Sequence, residues 1–162
     1  MILVTGGEKS GKSTYALRLA LERGARRAFV ATAEAFDDEM RARIKHHREE
    51  RGLLFETIEE PVDVPAVLRR CASYDIVLVD CMTTWLGNLM HYQRDLTAMK
   101  DELLASVSGN EIFVTNEVGM GIIPMDASTR LYVEELGRLN AALAQRAEQV
   151  VFMVAGLPLN LK

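Results

Sequence analysis

The chain has 162 residues, 49% of them hydrophobic and 26% charged. That length and balance fit one globular domain, residues 1–162, with enough apolar sequence to bury a core. Its net charge of −4 argues against a general nucleic-acid or membrane-surface binder, so a polyanionic ligand needs a local positive site.

In chain order, Ile2–Thr5 reads as a short buried strand, followed by a glycine-bearing turn, Gly6–Gly11. Lys12–Arg23 reads as a helix with apolar Ala16, Leu17, Leu19 and Ala20, stopped by Gly24. Ala28–Thr32 is a second strand, Asp37–Arg51 a strongly charged helix, and Phe55–Ile58 a short strand. Asp63 caps a helix to about Ala72, with Pro65 in its first turn. Ile76–Asp80 is a buried strand, and Thr84–Tyr92 and Leu96–Val107 are helical. Ile112–Asn116 is a strand, Glu117–Asp126 a loop, Ala127–Ala147 a long helix, and Val150–Ala155 the last strand. Short continuous apolar runs separated by helices predict an α/β fold, a mostly parallel sheet with helices on both faces. Ligands of such sheets bind at the carboxyl ends of the strands, where Thr32, Asp80, Asn116 and Glu117 fall.

Cys71 and Cys81 have no metal-ligand spacing and suit reduced thiols, which leads to the expectation of a cytoplasmic protein. The opening run Met1-Ile2-Leu3-Val4 has neither the basic region nor the long apolar region of a signal peptide. No apolar run approaches the ~20 residues of a membrane span.

Gly6-Gly7-Glu8-Lys9-Ser10-Gly11-Lys12-Ser13 matches G-x-x-x-x-G-K-[ST], the P-loop pattern. Glycines let the backbone wrap closely enough for its N–H groups to face phosphate oxygens. The helix that follows presents its positive end to the same anion. Lys12 is the candidate for the β/γ-phosphates and Ser13 for Mg²⁺. Position between a buried strand and an amphipathic helix makes the match specific. Asp80, ending an apolar strand, stands where a second Mg²⁺ ligand is expected; an ordinary strand-end cap is the alternative.

Arg41 to Arg48 carry two histidines among four Lys and Arg residues. At 3.6 residues per turn, Met40, Ile44, His47 and Arg51 share one face. His46 points about 100° away, toward Ala42, Arg43, Glu49 and Glu50. The segment reads either as a solvated, salt-bridged helix with one packed histidine or as the carrier of a nucleophilic histidine that attacks phosphorus. Composition does not separate these readings. Asn116-Glu117 is equally open between a ligand contact and a self-bonded turn. Trp85 and Met82 read as core residues, with an apolar ligand wall as the alternative, and His91 as a helix-surface residue.

Taken together, several segments resemble one family. They are Val4 through Ser13, Ala31-Thr32-Ala33 followed by Asp38-Glu39-Met40, Arg43-Ile44-Lys45-His46-His47, and Val79 through Trp85. Thr115 through Pro124 and Ala155-Gly156-Leu157-Pro158 complete the set. The whole chain resembles the bifunctional adenosylcobinamide kinase / adenosylcobinamide-phosphate guanylyltransferases of cobalamin assembly, which have a P-loop NTPase-like fold. The resemblance implies phosphorylation of adenosylcobinamide by ATP or GTP, then transfer of GMP from GTP to adenosylcobinamide phosphate. It implies His47 as the nucleophile that carries GMP, with Lys12 catalytic. It places Ala31, Thr32, Ala33, Arg48, Glu49, Glu50, Arg51, Glu59 and Asp80 at the nucleotide, Ser13 and Asp80 at Mg²⁺, and three subunits in the assembly. Lys9 stands where the family usually has Arg, and Phe55 where Trp is common; Lys for Arg loses a bidentate phosphate contact. The stretch between Met90 and Leu96 is short for the family. Two other readings stay open: a monofunctional P-loop small-molecule kinase, and a nucleotide-dependent switch or assembly ATPase.

Overall fold

The computed structural model describes residues 1–35, 38 and 52–162. Its strands and helices, in chain order, are β1 (Ile2–Gly6), α1 (Lys12–Arg23), β2 (Arg27–Ala31), β3 (Glu56–Glu59) and α2 (Val64–Arg70). Next come β4 (Ile76–Asp80), α3 (Met82–His91), α4 (Leu96–Ser106), β5 (Glu111–Val114), α5 (Ala127–Arg146), β6 (Gln149–Val154) and β7 (Leu157–Asn160). The expected helix over Asp37–Arg51 lies outside the described residues, Asp38 excepted.

The strands form one seven-stranded sheet in the order β3-β2-β4-β5-β1-β6-β7. All neighbouring pairs are parallel except β6 with β7. Strands covered on both sides have no reason to alternate in polarity, and β1, β4 and β5 are apolar almost throughout. Their side chains divide between two cores by the period of two. Ile2, Val4, Leu78, Ile112 and Val114 pack with Ala16 and Ala20 of α1 on one face. Leu3, Val77, Val79 and Phe113 pack with α2, α3, α4 and α5 on the other. Trp85 and Met82 lie wholly inside this second core, and the Trp85 indole donates to the Val62 carbonyl at 2.7 Å. They are core residues and form no wall of a binding site.

Local chemistry sets the helix starts. Asp63, Asp95 and Asp126 each accept a hydrogen bond from a first-turn N–H of α2, α4 and α5. The strand β7 was not foreseen. A two-residue turn joins it to β6, Ala155 at φ 50° and Gly156 at φ 80°, the geometry that twists correctly into a hairpin. Ala-Gly is a weak signal for that turn. Pro158 is tolerated because β7 is an edge strand.

Candidate functional site

The carboxyl edge of the sheet has a crevice between β1 and β5. The chain leaves β1 toward α1 on one face and leaves β5 toward α5 on the other, and such divergence opens a ligand site. The P-loop lies on one side and Asn116-Glu117 on the other. The Glu117 N–H donates to Gly6 O at 3.0 Å, and the Asn116 amide donates to the Glu8 carboxylate at 3.2 Å. Asn116 therefore bonds across the crevice and does not form a turn with its own backbone.

Gly6 has φ 148°, and a Cβ there would stand 2.4 Å from the Met153 carbonyl oxygen of β6. Only glycine lets the loop start this close to the neighbouring strand. Gly7, Glu8 and Lys9 are exposed on the rim, while Ser10, Gly11 and Ser13 are half-buried. Lys12 is buried, and its ammonium donates to Gly7 O at 2.6 Å across the loop. Burial pushes its pKa below the ordinary 10.5, while Glu8, Cys81 and Asp80 pull it back up. A phosphate would add to that upward pull. The Ser10 hydroxyl oxygen is buried and has no hydrogen-bond partner among the described residues. A buried donor in a glycine loop beside a lysine suits an anion's oxygen.

Asp80 ends β4, two strands from β1, or roughly 10 Å at ~4.8 Å per strand. The peptide joining it to Cys81 is cis. Thr32, fully buried, locks this strand end to β2. Its hydroxyl accepts from Cys81 N at 2.9 Å and donates to Cys81 O at 2.8 Å. Its own N–H reaches Asp80 O at 3.3 Å. Ala31, Thr32 and Ala33 thus sit at the end of β2, and the Thr32 side chain faces inward to the protein. Glu59 is exposed at the end of β3. In the strand order, β2 and β3 stand three and four places from β1, roughly 14 and 19 Å away at ~4.8 Å per strand. The structure therefore separates the expected nucleotide residues into two stations on one edge, the P-loop with Ser13 and the β2–β3 ends with Ala31, Ala33 and Glu59, and puts Asp80 between them, beside Ala31. His47, with His46, Arg48, Glu49, Glu50 and Arg51, lies outside the described residues.

Residues 2–161 match the protein family described as cobinamide kinase / cobinamide phosphate guanyltransferase. The chain belongs to this family. It is 43% identical to the bifunctional adenosylcobalamin biosynthesis protein CobP of Pseudomonas aeruginosa, over 99% of this chain and 96% of that one. It is 33% identical to the bifunctional protein CobU of Escherichia coli K12, over 100% and 99% of the two chains. Against CobU of Salmonella typhimurium identity is 35%, over 100% and 99%. The flagellar accessory protein FlaH of Methanocaldococcus jannaschii superposes with a TM-score of 0.54 at 13% identity, covering 99% of this chain and 77% of that one. That likeness is one of fold. The family membership makes this a cobalamin-biosynthesis enzyme built on a P-loop fold. No described helix is long and apolar enough to cross a membrane.

Sequence reasoning missed the residues that brace the edge. Asn140, buried on α5, accepts from the Thr115 hydroxyl at 2.8 Å and donates to Asn116 O at 3.0 Å. The Thr83 hydroxyl accepts from Asn116 N at 2.7 Å. Asn88, buried on α3, donates to Thr32 O at 2.8 Å and Pro61 O at 3.0 Å. The available signal was an asparagine on an otherwise apolar helix face, where a buried amide must find partners. The Tyr132 hydroxyl donates to Thr83 O at 2.9 Å, and burial, with the nearby Cys81, pushes its pKa up to about 12.

Proposed function

We propose that this chain catalyses both reactions named in its family's description, with adenosylcobinamide and its phosphate as acceptors. The carrying observation is the crevice where Lys12 is buried behind a glycine loop that Asn116 and Glu117 tie to β5. In the kinase step the acceptor hydroxyl oxygen bonds to the γ-phosphorus of ATP or GTP. The bond to the β–γ bridging oxygen breaks, the nucleoside diphosphate leaves, and the hydroxyl proton passes to solvent. In the second reaction a ring nitrogen of His47 bonds to the α-phosphorus of GTP and pyrophosphate leaves. A phosphate oxygen of the acceptor then bonds to that phosphorus, the P–N bond breaks, and adenosylcobinamide-GDP is released.

Lys12 and the loop N–H groups neutralise the charge that moves onto the leaving phosphate. Ser13 and Asp80 supply the hard oxygen donors that suit Mg²⁺, which keeps most of its other positions for phosphate and water. Bound there, Mg²⁺ would neutralise phosphate charge. Ala31, Ala33 and Glu59 serve the nucleotide at the second station, and Arg48, Glu49, Glu50 and Arg51 are assigned to the nucleotide as well.

The proposed assembly is a homotrimer. Its support is the β6–β7 surface, where Phe152, Val154, Leu157 and Leu159 fall on one side by the pairing register. Val154, Leu157 and Leu159 are exposed there, and a second copy would cover them.

The test uses GTP labelled at the α-phosphate. Wild type and His46→Ala should retain label after denaturation, in acid-labile, base-stable form, and His47→Ala should not. A wild type that binds GTP yet retains no label would overturn the guanylyl half and leave a monofunctional kinase. Hydrolysis without transfer to cobinamide would favour the nucleotide switch.

A further inference from the structure

A cleft of about 440 Å³ opens between α3 and α5, lined by Thr83, Thr84, Gly87, Asn88, His91 and Tyr132. That volume is within the range of small-molecule sites, and none of these residues belongs to the nucleotide set above.

The cleft's position follows from how α3 is tied down. Near its start, Thr83 holds Asn116 at the end of β5. Further along, Asn88 holds Thr32 at the end of β2. The two tethers make α3 cross the carboxyl edge from one nucleotide station toward the other. Thr83, Gly87 and His91, four residues apart, share the helix face that lines the cleft. The Thr83 end reaches the P-loop through Asn116 and Glu8. The His91 end lies beside Tyr92, whose hydroxyl bonds Glu34 just after β2.

Gly87 has no packing reason to be glycine. A Cβ there would meet only Tyr132 Cε2, at 4.0 Å, an ordinary contact. Glycine within a helix is destabilising relative to alanine, and here its effect is to keep the cleft wall low. The lining is mixed: hydroxyls at Thr83 and Thr84, aromatic rings at His91 and Tyr132. Beside Tyr132, a Cβ placed on Gly119 would meet Val133 Cγ1 at 3.7 Å, so the loop after β5 flanks the first turns of α5. That loop exposes Met120, Ile122, Ile123 and Met125. A polar lining next to the P-loop with an apolar border beside it suits a large amphiphilic alcohol.

We propose that this cleft is the acceptor subsite. The hydroxyl-bearing arm of cobinamide lies at Thr83 and Thr84, toward the P-loop, and its macrocycle extends past Gly87 toward His91. The inference rests on the functional reading above and adds where the acceptor binds. One cleft serves the alcohol and its phosphate ester, because only the terminal group differs between the two reactions.

The experiment measures cobinamide binding from its visible absorbance, and the acceptor KM, for wild type, Gly87→Leu, Gly87→Ala and His91→Ala. Gly87→Leu fills the cleft and should weaken cobinamide binding and raise the acceptor KM by roughly tenfold or more, about 1.4 kcal/mol by the affinity relation. Gly87→Ala should change little. His91→Ala, an exposed position that does not threaten folding, should raise the acceptor KM several-fold. Nucleotide binding and label retained from GTP need no acceptor, and both should match wild type in each variant. Wild-type acceptor KM in Gly87→Leu and His91→Ala would overturn the proposal, and if Gly87→Leu does not fold, His91→Ala alone decides it. A wild type that neither phosphorylates cobinamide nor retains label would instead sink the functional reading, and the binding titration would still report on the cleft.

Discussion

Replacing Gly6 by alanine tests whether the P-loop is held by contact with β6. The added Cβ would lie 2.4 Å from Met153 O, a backbone atom that cannot swing aside. The residue would also keep φ near 148°, at a cost of order 1–3 kcal/mol for a side-chain-bearing residue. Overpacking against a strand adds about 1–3 kcal/mol. The sum, about 2–6 kcal/mol, is a large part of the 5–15 kcal/mol that holds an ordinary domain. With a urea slope of about 2 kcal/mol per molar, the unfolding midpoint should fall by about 1–3 M. Gly7→Ala is the control: a Cβ there meets nothing within 4 Å, and its stability should stay within about 0.5 kcal/mol of wild type. Urea unfolding followed by Trp85 fluorescence reads both. If Gly6→Ala unfolds with wild type, close contact with β6 does not set the loop's position.

Other perturbations follow from the same geometry. Because burial lowers the Lys12 pKa below 10.5, its charged form costs stability at lower pH, and that cost fades as pH rises through the folded value. A triphosphate should raise the pKa again, so nucleotide binding at alkaline pH below 10.5 should take up protons, seen by calorimetry in buffers of different ionisation enthalpy. Asn140→Leu strands the Thr115 hydroxyl and the Asn116 carbonyl, at about 1–3 kcal/mol for each orphaned group, measured by urea unfolding. If Asp80 holds Mg²⁺, Asp80→Asn should raise the Mg²⁺ concentration needed for half-maximal transfer while nucleotide binding without metal stays at wild-type strength, and a chelator should abolish both transfers.

The sequence made the layered sheet readable because its parallel strands are buried on both faces and so appear as unbroken apolar runs. The P-loop was legible for a similar reason: its glycines, lysine and serine each answer a local need. The bracing of the edge was not legible. The bonds from Asn140 to Asn116, from Asn88 to Thr32 and from Tyr132 to Thr83 span 24, 56 and 49 residues, and no local pattern encodes a partner so distant. Strand order also escaped the sequence, although it alone separates the Glu59 end from the P-loop. The β6–β7 hairpin was hidden by an Ala-Gly turn and an exposed strand with no alternation to detect.

Thr32 concentrates this lesson, because a residue expected at the nucleotide has every polar group turned inward. Thr32→Val preserves shape and removes only the hydroxyl, leaving the N–H and C=O of Cys81 without their partner. At about 1–3 kcal/mol for each orphaned group, the loss should be about 2–6 kcal/mol, or about 1–3 kcal/mol if one group finds water. A residue that touched only ligand would lose affinity with unchanged stability. A residue that fixes the strand end should lose stability first, with faster amide exchange at Cys81. The displaced Asp80 would then raise the Mg²⁺ requirement of transfer, with nucleotide affinity in the absence of metal unchanged. Wild-type stability with weakened GTP binding would reverse the assignment and make the Thr32 hydroxyl a direct nucleotide contact.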